Sequence, residues 1–222
     1  MKRFAILISI ICFLSCQSSR RRFNAEAIKL NDSAMSLQMK NYLMALNRYG
    51  GPDSVRKVQI ALLTKAIEID TSYFIAYWNK FNCQVQLKQY AGALITGKRL
   101  VILRPNDPVN EFLVGKVYDK LGDTIHAKAY YKNYLSYCSS ILDTMATSNR
   151  QYRFVVEEKA IVLILLGQQQ NGKAILKKLF DTEPISMNKP FDSLYMGLTR
   201  KDIIDGKDLR MTVDNTSYSI NP

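Results

Sequence analysis

Residues Gly115–Leu135, GKVYDKLGDTIHAKAYYKNYL, contain the pattern that decides the fold of this chain. Gly115 is followed by Tyr118 within one helical turn, and Ala127 is followed by Tyr131 in the same way. Small residues let two helices approach closely, and aromatic residues fill the space beside them. Leu121-Gly122-Asp123 between the two halves is typical of a turn. The stretch therefore predicts a helix–turn–helix hairpin.

The pattern recurs with a fixed period. The step from Thr71 to Pro105 is 34 residues, which is the period of the tetratricopeptide repeat (TPR). Gly115–Leu135 resembles that motif position by position, and a proline such as Pro105 ends the second helix of such a unit. The resemblance implies a solenoid of stacked helical hairpins. Its small positions continue in both directions, at Ala93, Ala160 and Gly172.

The match varies along the chain. Pro184 follows Pro105 by two periods and eleven further residues, which we assign to residues 140–150 as a longer helix or a loop. In the second repeat Phe81 stands where the motif usually has a small residue. In the first repeat the resemblance is weak, and its first helix is expected within residues 25–47.

These patterns predict an all-α fold, namely a TPR-like α-solenoid of about four helical hairpins over residues 25–184. Residues 185–222 leave the repeat and are expected to form a short C-terminal capping extension. Within it, Thr199 and Asp202 predict a capping box that starts a short helix ended by Gly206. A tail lying in the protein's own groove, where it would cover Ile161 and Ile164, is the alternative.

The N-terminus, MKRFAILISIICFLSC, has the layout of a secretory signal peptide. Its end at Ser15-Cys16 resembles the lipobox of bacterial lipoproteins, although Phe13 replaces the usual leucine. We therefore expect a signal peptide over residues 1–15, followed by a lipidated Cys16 and a basic linker over residues 16–24. A conventional secreted protein is the alternative. Gln17 after the cysteine resembles lipoproteins sent to the outer membrane, so we expect a cell-envelope, outer-membrane-anchored protein.

The net charge of +12 and the pI of about 9.5 would suit a nucleic-acid-binding protein. The predicted leader points instead to the envelope, where nucleic acid is rarely met. We therefore expect the basic excess to serve anionic surfaces or acidic patches on envelope proteins. The linker from Gln17 to Asn24 spans at most about 28 Å, so the folded body would lie close to the membrane.

Enzymatic chemistry has little support in the sequence. It contains no glycine-rich phosphate loop, nucleophile elbow or metal-ligand cluster. His126, the single histidine, is expected to be solvated on an outward face. Cys83 and Cys138 could pair in an oxidising compartment, but we favour two buried thiols. We expect no catalysis, no cofactor and no metal.

The TPR resemblance implies that first helices line a concave face that binds partner segments. It assigns this role to Trp78, Asn79, Asn82 and Gln86 in the second repeat, to Phe112, Lys116, Asp119 and Lys120 in the third, and to Glu157 in the fourth, where Phe154, Ile161 and Ile164 accompany it.

The preferred hypothesis is a membrane-anchored adaptor that binds a segment of another envelope protein on this face. The alternative is a lipoprotein that binds a small ligand or glycan by stacking on Trp78, Tyr77 and Phe112. A third hypothesis is a spacer with no specific ligand.

Overall fold

The computed structural model describes residues 23–44, 52–105, 107–181 and 197–205. The predicted signal peptide, the predicted lipidation site Cys16 and most of the predicted basic linker lie outside these residues. Pro184 and all of the predicted tail except residues 197–205 also lie outside them. Among the described residues all regular structure is helical.

Eight of the described helices form four consecutive antiparallel hairpins. Hairpin 1 contains α1 (Ala25–Met44) and α2 (Pro52–Ile69), hairpin 2 contains α3 (Phe74–Gln86) and α4 (Tyr90–Leu103), hairpin 3 contains α5 (Pro108–Lys120) and α6 (Thr124–Thr144), and hairpin 4 contains α7 (Tyr152–Leu165) and α8 (Gln169–Asp181). A ninth described helix, α9 (Arg200–Ile204), lies in the tail. The predicted all-α solenoid of four hairpins is confirmed.

Consecutive hairpin helices pack on each other along the stack, both within and between hairpins. The buried apolar side chains accordingly form a series of clusters along the stack: one centred on hairpin 1, one on hairpin 2, and one shared by hairpins 3 and 4. This arrangement is typical of a solenoid, in which neighbouring units bury each other's surfaces.

Local signals place the ends of the best-predicted hairpin. Asp107 caps α5 by accepting a hydrogen bond from the Val109 amide at 3.2 Å, and Pro108 occupies the first turn. Asp123 caps α6 through the His126 amide at 3.1 Å. Gly122 between the two helices has φ +83°, a conformation that glycine adopts at little cost.

The predicted close approach of α5 and α6 is present. A Cβ atom on Gly115 would lie only 2.8 Å from Cε1 of Tyr131, whose side chain is fully buried. In hairpin 4, a Cβ atom on Gly172 would lie 2.5 Å from the backbone oxygen of Ala160. Both contacts leave room for a hydrogen atom and for nothing larger. The extra residues before hairpin 4 lengthen α6 to Thr144 and form the turns that lead to Tyr152.

Candidate functional site

The predicted binding residues all lie on the first helices of successive hairpins. We call the surface formed by α1, α3, α5 and α7 the first-helix face. Trp78, Asn79, Asn82 and Gln86 lie on α3, Phe112, Lys116, Asp119 and Lys120 lie on α5, and Glu157 lies on α7. Their shared role in binding stays a prediction, whereas their contacts and their exposure differ from residue to residue.

The predicted α3 residues are partly or fully exposed, and two of them, Asn79 and Gln86, make polar contacts with hairpin 1. The Asn79 side-chain amide donates a hydrogen bond to Oδ1 of Asn31 at 2.8 Å, which joins α3 to α1. Gln86 accepts a hydrogen bond from Nε of Arg56 at 2.6 Å. Asn82, which lies between Asn79 and Gln86 in the sequence, is half-buried. Asn31 and Arg56 were not predicted, because the repeat motif is weak in hairpin 1.

Trp78 belongs partly to the core. Its ring stacks on Phe74 with the centroids 6.3 Å apart, and the half-buried indole packs against the apolar cluster of hairpin 2. It therefore offers only part of its ring surface to a partner.

Phe112 and Glu157 have little free surface. Phe112 is 6% exposed and stacks on Tyr134 with the ring centroids 4.7 Å apart. Lys116 lies above the Phe112 ring, with Nζ 5.8 Å from its centroid. Glu157 is 7% exposed and accepts a hydrogen bond from Nε of Arg153 at 2.9 Å. These two residues support the face more than they form its surface.

Asp119 has the most enclosed side chain among the predicted polar binding residues. Its side chain has no exposed surface, and Oδ2 accepts a hydrogen bond from the Tyr131 hydroxyl at 2.7 Å. Its other oxygen, Oδ1, forms an ion pair with Arg200 of the tail helix. Burial and the adjacent carboxylate both raise the pKa of Tyr131 well above its usual value, so this hydroxyl remains a hydrogen-bond donor at all physiological pH values.

Arg200 is held at two points. Besides its contact with Asp119, its Nε donates to the backbone oxygen of Leu165 at 2.9 Å. Leu165 lies at the end of α7, where carbonyl oxygens have no partner within the helix. The guanidinium group therefore closes the C-terminal end of α7 and neutralises a carboxylate on α5.

The other residues of α9 extend this contact. We call the surface of α5 and α7 that α9 covers the seat of α9. α9 packs on both α5 and α7, and Lys120 forms an ion pair with Asp205 at 3.2 Å. Leu198 and Ile203, 4% and 0% exposed, complete the apolar cluster of hairpins 3 and 4. The predicted capping box is present, with both the Thr199 and the Asp202 contacts made.

Ile161 and Ile164 lie in this same cluster and are 1% and 0% exposed. The prediction placed both in an open groove that the tail would cover. Ile164 instead faces α8 of its own hairpin, because its Cγ1 atom is 2.7 Å from the position of a Cβ on Gly172. Its burial is thus partly a property of the hairpin.

The remaining reactive groups are explained by local structure. His126 is exposed as predicted, with Nδ1 2.7 Å from Oδ2 of Asp123, and it stacks on Tyr118. Cys83 and Cys138 are buried and are not joined by a disulfide. Within the described ranges, no group of three acidic, cysteine or histidine side chains has an arrangement that would hold a metal ion.

The chain aligns with several solved structures. YrrB, described as a TPR protein with an unusual peptide-binding site, aligns with a TM-score of 0.50 and 17% identity over 84% of this chain and 82% of its own. A thermophilic TPR protein from Thermus thermophilus aligns with a TM-score of 0.46 and 19% identity over 82% of this chain and 95% of its own. A MamA double mutant aligns with a TM-score of 0.41 and 12% identity, over 72% and 96% of the two chains.

No protein-family model and no curated protein matches the chain. At 17% identity the likeness to YrrB shows the fold alone, and that fold is an all-α, TPR-like solenoid. No described helix is both long enough and apolar enough to cross a membrane.

Proposed function

We propose that this chain is a protein-binding adaptor, anchored in the bacterial cell envelope through Cys16, that binds a partner segment on its first-helix face. The observation that carries the binding proposal is the seat of α9. This part of the face already accommodates a short peptide segment through an ion pair, a hydrogen bond to a helix end and two buried aliphatic side chains. A surface that binds one such segment has the chemistry to bind another.

Hairpin 2 supplies the more accessible part of the face. Asn82 and Gln86 on α3 and Lys116 on α5 each retain exposed surface. Amide and ammonium groups of this kind fix the register of a bound segment through its backbone and carboxylate oxygens. Asn79 and Asn31 join the first helices of hairpins 1 and 2 through a side-chain hydrogen bond.

The glycan alternative has weaker support. It needs exposed aromatic rings as stacking platforms, but Phe112 is 6% exposed and Trp78 stacks on Phe74. We propose binding of a protein segment, and not catalysis, because the described polar groups of the face form ion pairs and hydrogen bonds with neighbouring helices.

The test is a capture experiment from solubilised bacterial envelopes. Asn82→Ala/Lys116→Ala changes the first-helix face, and Lys132→Ala/Asn133→Ala is a control with the same two residue types on the exposed side of α6. We expect a partner that the parent and the control retain and the first-helix variant loses. Equal capture by both variants would place the binding surface elsewhere.

The anchor is tested separately. Partition of the full chain into detergent micelles should depend on Cys16, because a diacylglycerol attached there supplies most of the membrane affinity. Cys16→Ser should move the protein to the aqueous phase, whereas Cys12→Ser should not. Unchanged partition of Cys16→Ser would remove lipidation from the proposal.

A further inference from the structure

The tail helix α9 does not lie where the next layer of the solenoid would lie. A helix that continued the stack would pack along α8, the last hairpin helix, but α9 packs on α5 and α7, the first helices of two adjacent hairpins. Gln169 at the start of α8 adds one hydrogen bond, to the backbone oxygen of Leu198 at 3.3 Å. We infer that α9 is an internal ligand, and that its seat is a docking site for a partner segment carrying an arginine between two aliphatic residues, which displaces it.

This inference rests on the proposed function and specifies the chemistry of the partner. The first requirement is a cation opposite Asp119. The Asp119 side chain has no exposed surface, and without Arg200 it would retain only the Tyr131 hydroxyl as a described partner. A buried carboxylate without a counter-charge is strongly unfavourable. A segment that displaces α9 must therefore supply a positive charge at the same point.

The second requirement selects arginine over lysine. Arg200 uses one terminal nitrogen for Asp119 and Nε for the Leu165 oxygen at 2.9 Å. The planar guanidinium group can serve two acceptors in fixed directions, whereas an ammonium group is a single point of charge. Lysine at this position would have to reach both acceptors from one nitrogen atom, without the fixed directions that the guanidinium group supplies.

The third requirement is aliphatic. Leu198 and Ile203, which flank Arg200 in sequence, are 4% and 0% exposed in the cluster of hairpins 3 and 4. The seat therefore recognises an aliphatic residue two positions before the arginine and another three positions after it. Lys201, whose side chain is 84% exposed, lies outside this pattern.

The construction of α9 favours exchange. It has five residues, and a helix of that length is not stable in water by itself. Its capping box is local, and its second ion pair, Lys120–Asp205, is partly open to solvent. Docking thus depends on a few side chains that another segment can reproduce. While α9 can dock, the apparent affinity for a competitor equals its intrinsic affinity multiplied by the fraction of molecules in which the seat is open.

The experiment uses the full chain and a fluorescent peptide of the sequence GLTRKDIID, corresponding to residues 197–205. Peptide binding is measured by anisotropy for the parent, for Arg200→Ala and for Lys201→Ala, with circular dichroism as the check on folding. We expect Arg200→Ala to bind the peptide at least about tenfold more tightly than the parent, because its own α9 no longer competes. Lys201→Ala should behave like the parent, and a peptide with alanine in place of its arginine should not bind.

A second measurement requires no variant. If α9 opens independently, the amides of Ile203 and Asp205 should exchange with deuterium at least about tenfold faster than those of α7. Exchange of α9 only with global unfolding, or folded Arg200→Ala that binds the peptide no better than the parent, would overturn the inference. Neither measurement needs an envelope partner, so failure of the capture experiment and failure of this one are distinguishable.

Discussion

Lys88 occupies the turn position of hairpin 2 that glycine occupies in hairpins 3 and 4. Its φ is 58°, compared with +83° for Gly122 and +88° for Gly167. A left-handed conformation costs an L-residue with a Cβ atom about 1–2 kcal/mol. Glycine avoids that cost but has more freedom to lose on folding.

We expect Lys88→Gly to raise the free energy of unfolding by about 0.5–1 kcal/mol, measured by urea denaturation at an unchanged m-value. Lys88→Ala is the control and should show no gain, because alanine retains the Cβ atom. A Lys88→Gly protein that unfolds at the same or a lower urea concentration would contradict this explanation of the turn.

Phe81 departs from the repeat motif, and Gly97 explains how the hairpin accepts it. A Cβ atom on Gly97 would lie 3.0 Å from Cε2 of Phe81 and 2.9 Å from Cγ2 of Val114. Phe81 and Gly97 are separated by the same interval as Gly115 and Tyr131. The large and small residues of this contact have therefore exchanged helices between hairpins 2 and 3.

A double-mutant cycle tests this exchange. Phe81→Gly should cost about 3–5 kcal/mol through the cavity it leaves, and Gly97→Tyr about 1–3 kcal/mol through overpacking. The double variant has the arrangement of hairpin 3. Its loss in the free energy of unfolding should be smaller than the sum of the two single losses by at least about 1 kcal/mol. Simple additivity in urea denaturation would show that the two positions do not compensate each other.

The two buried thiols should be unreactive in the folded chain. Burial raises the pKa of Cys83 to about 11 and that of Cys138 to about 12. The Cys83 thiol also lies 3.6 Å from Oε1 of Gln59, as a donor to a buried amide. Because the thiolate is the reactive form, only about a thousandth or less of either thiol is reactive at pH 8.

We expect the folded form of a chain that begins at Gln17 to react with a disulfide reagent at pH 8 only as fast as it unfolds. In urea, the same chain should show two reactive thiols, Cys83 and Cys138. Because the pKa of Cys83 is raised in the folded state, its protonated thiol contributes to the free energy of unfolding. This contribution is fully present below the ordinary thiol pKa of about 8.5 and is lost as the pH rises through 11. Rapid labelling of the native chain at pH 8 would show that one of the thiols is accessible.

At the scale of elements, α9 contributes stability to hairpins 3 and 4 as well as occupying their face. Removing residues 185–222 exposes the apolar cluster that Leu198 and Ile203 complete and leaves Asp119 without Arg200. We expect this truncation to lower the free energy of unfolding by about 2–3 kcal/mol, a value set mainly by the lost apolar burial.

A chain that ends at Asp205 is the matched control. It keeps α9 and each of its described contacts, and should unfold at the same urea concentration as the parent. Equal stability of the chain that ends at Pro184 would mean that the α9 contacts contribute nothing to the folded state.

At the scale of the whole molecule, the two ends of the stack differ in the quality of their cores. Among the side chains that the structure describes, the buried residues of the hairpin 1 cluster include four alanines, Ala27, Ala34, Ala66 and Ala76, whereas those of hairpins 3 and 4 are mainly large aliphatic and aromatic residues. Stability in a solenoid is approximately a sum over units and their interfaces. A unit with less buried apolar area therefore opens more easily.

We expect the amides of α1 and α2 to exchange with deuterium faster than those of α7, although all three are helices. Hydrogen exchange followed by mass spectrometry measures this directly, with α7 as the internal reference. Uniform protection from α1 to α8 would indicate that the stack unfolds as one cooperative unit.

The repeat pattern was sufficient to predict the hairpins, because the contacts that define them are short in sequence. Gly115 and Tyr131 meet across a single turn, and the capping box of α9 joins Thr199 to Asp202. The exchange between Phe81 and Gly97 could have been found by reading both positions together. The contact of Asn31 with Asn79 could not have been found in this way, because the repeat motif of hairpin 1 is too weak to assign positions on its first helix.

The sequence alone therefore determined the all-α class, the number of hairpins and the helices on which the candidate residues lie, because these depend on local periodicity and turn chemistry. Only the tertiary structure decided which of those residues face a partner, the core or the tail. Asp119 and Arg200 are 81 positions apart. No local pattern relates two residues at that distance; their contact exists because the tail returns to the first helices, where a buried carboxylate requires a cation.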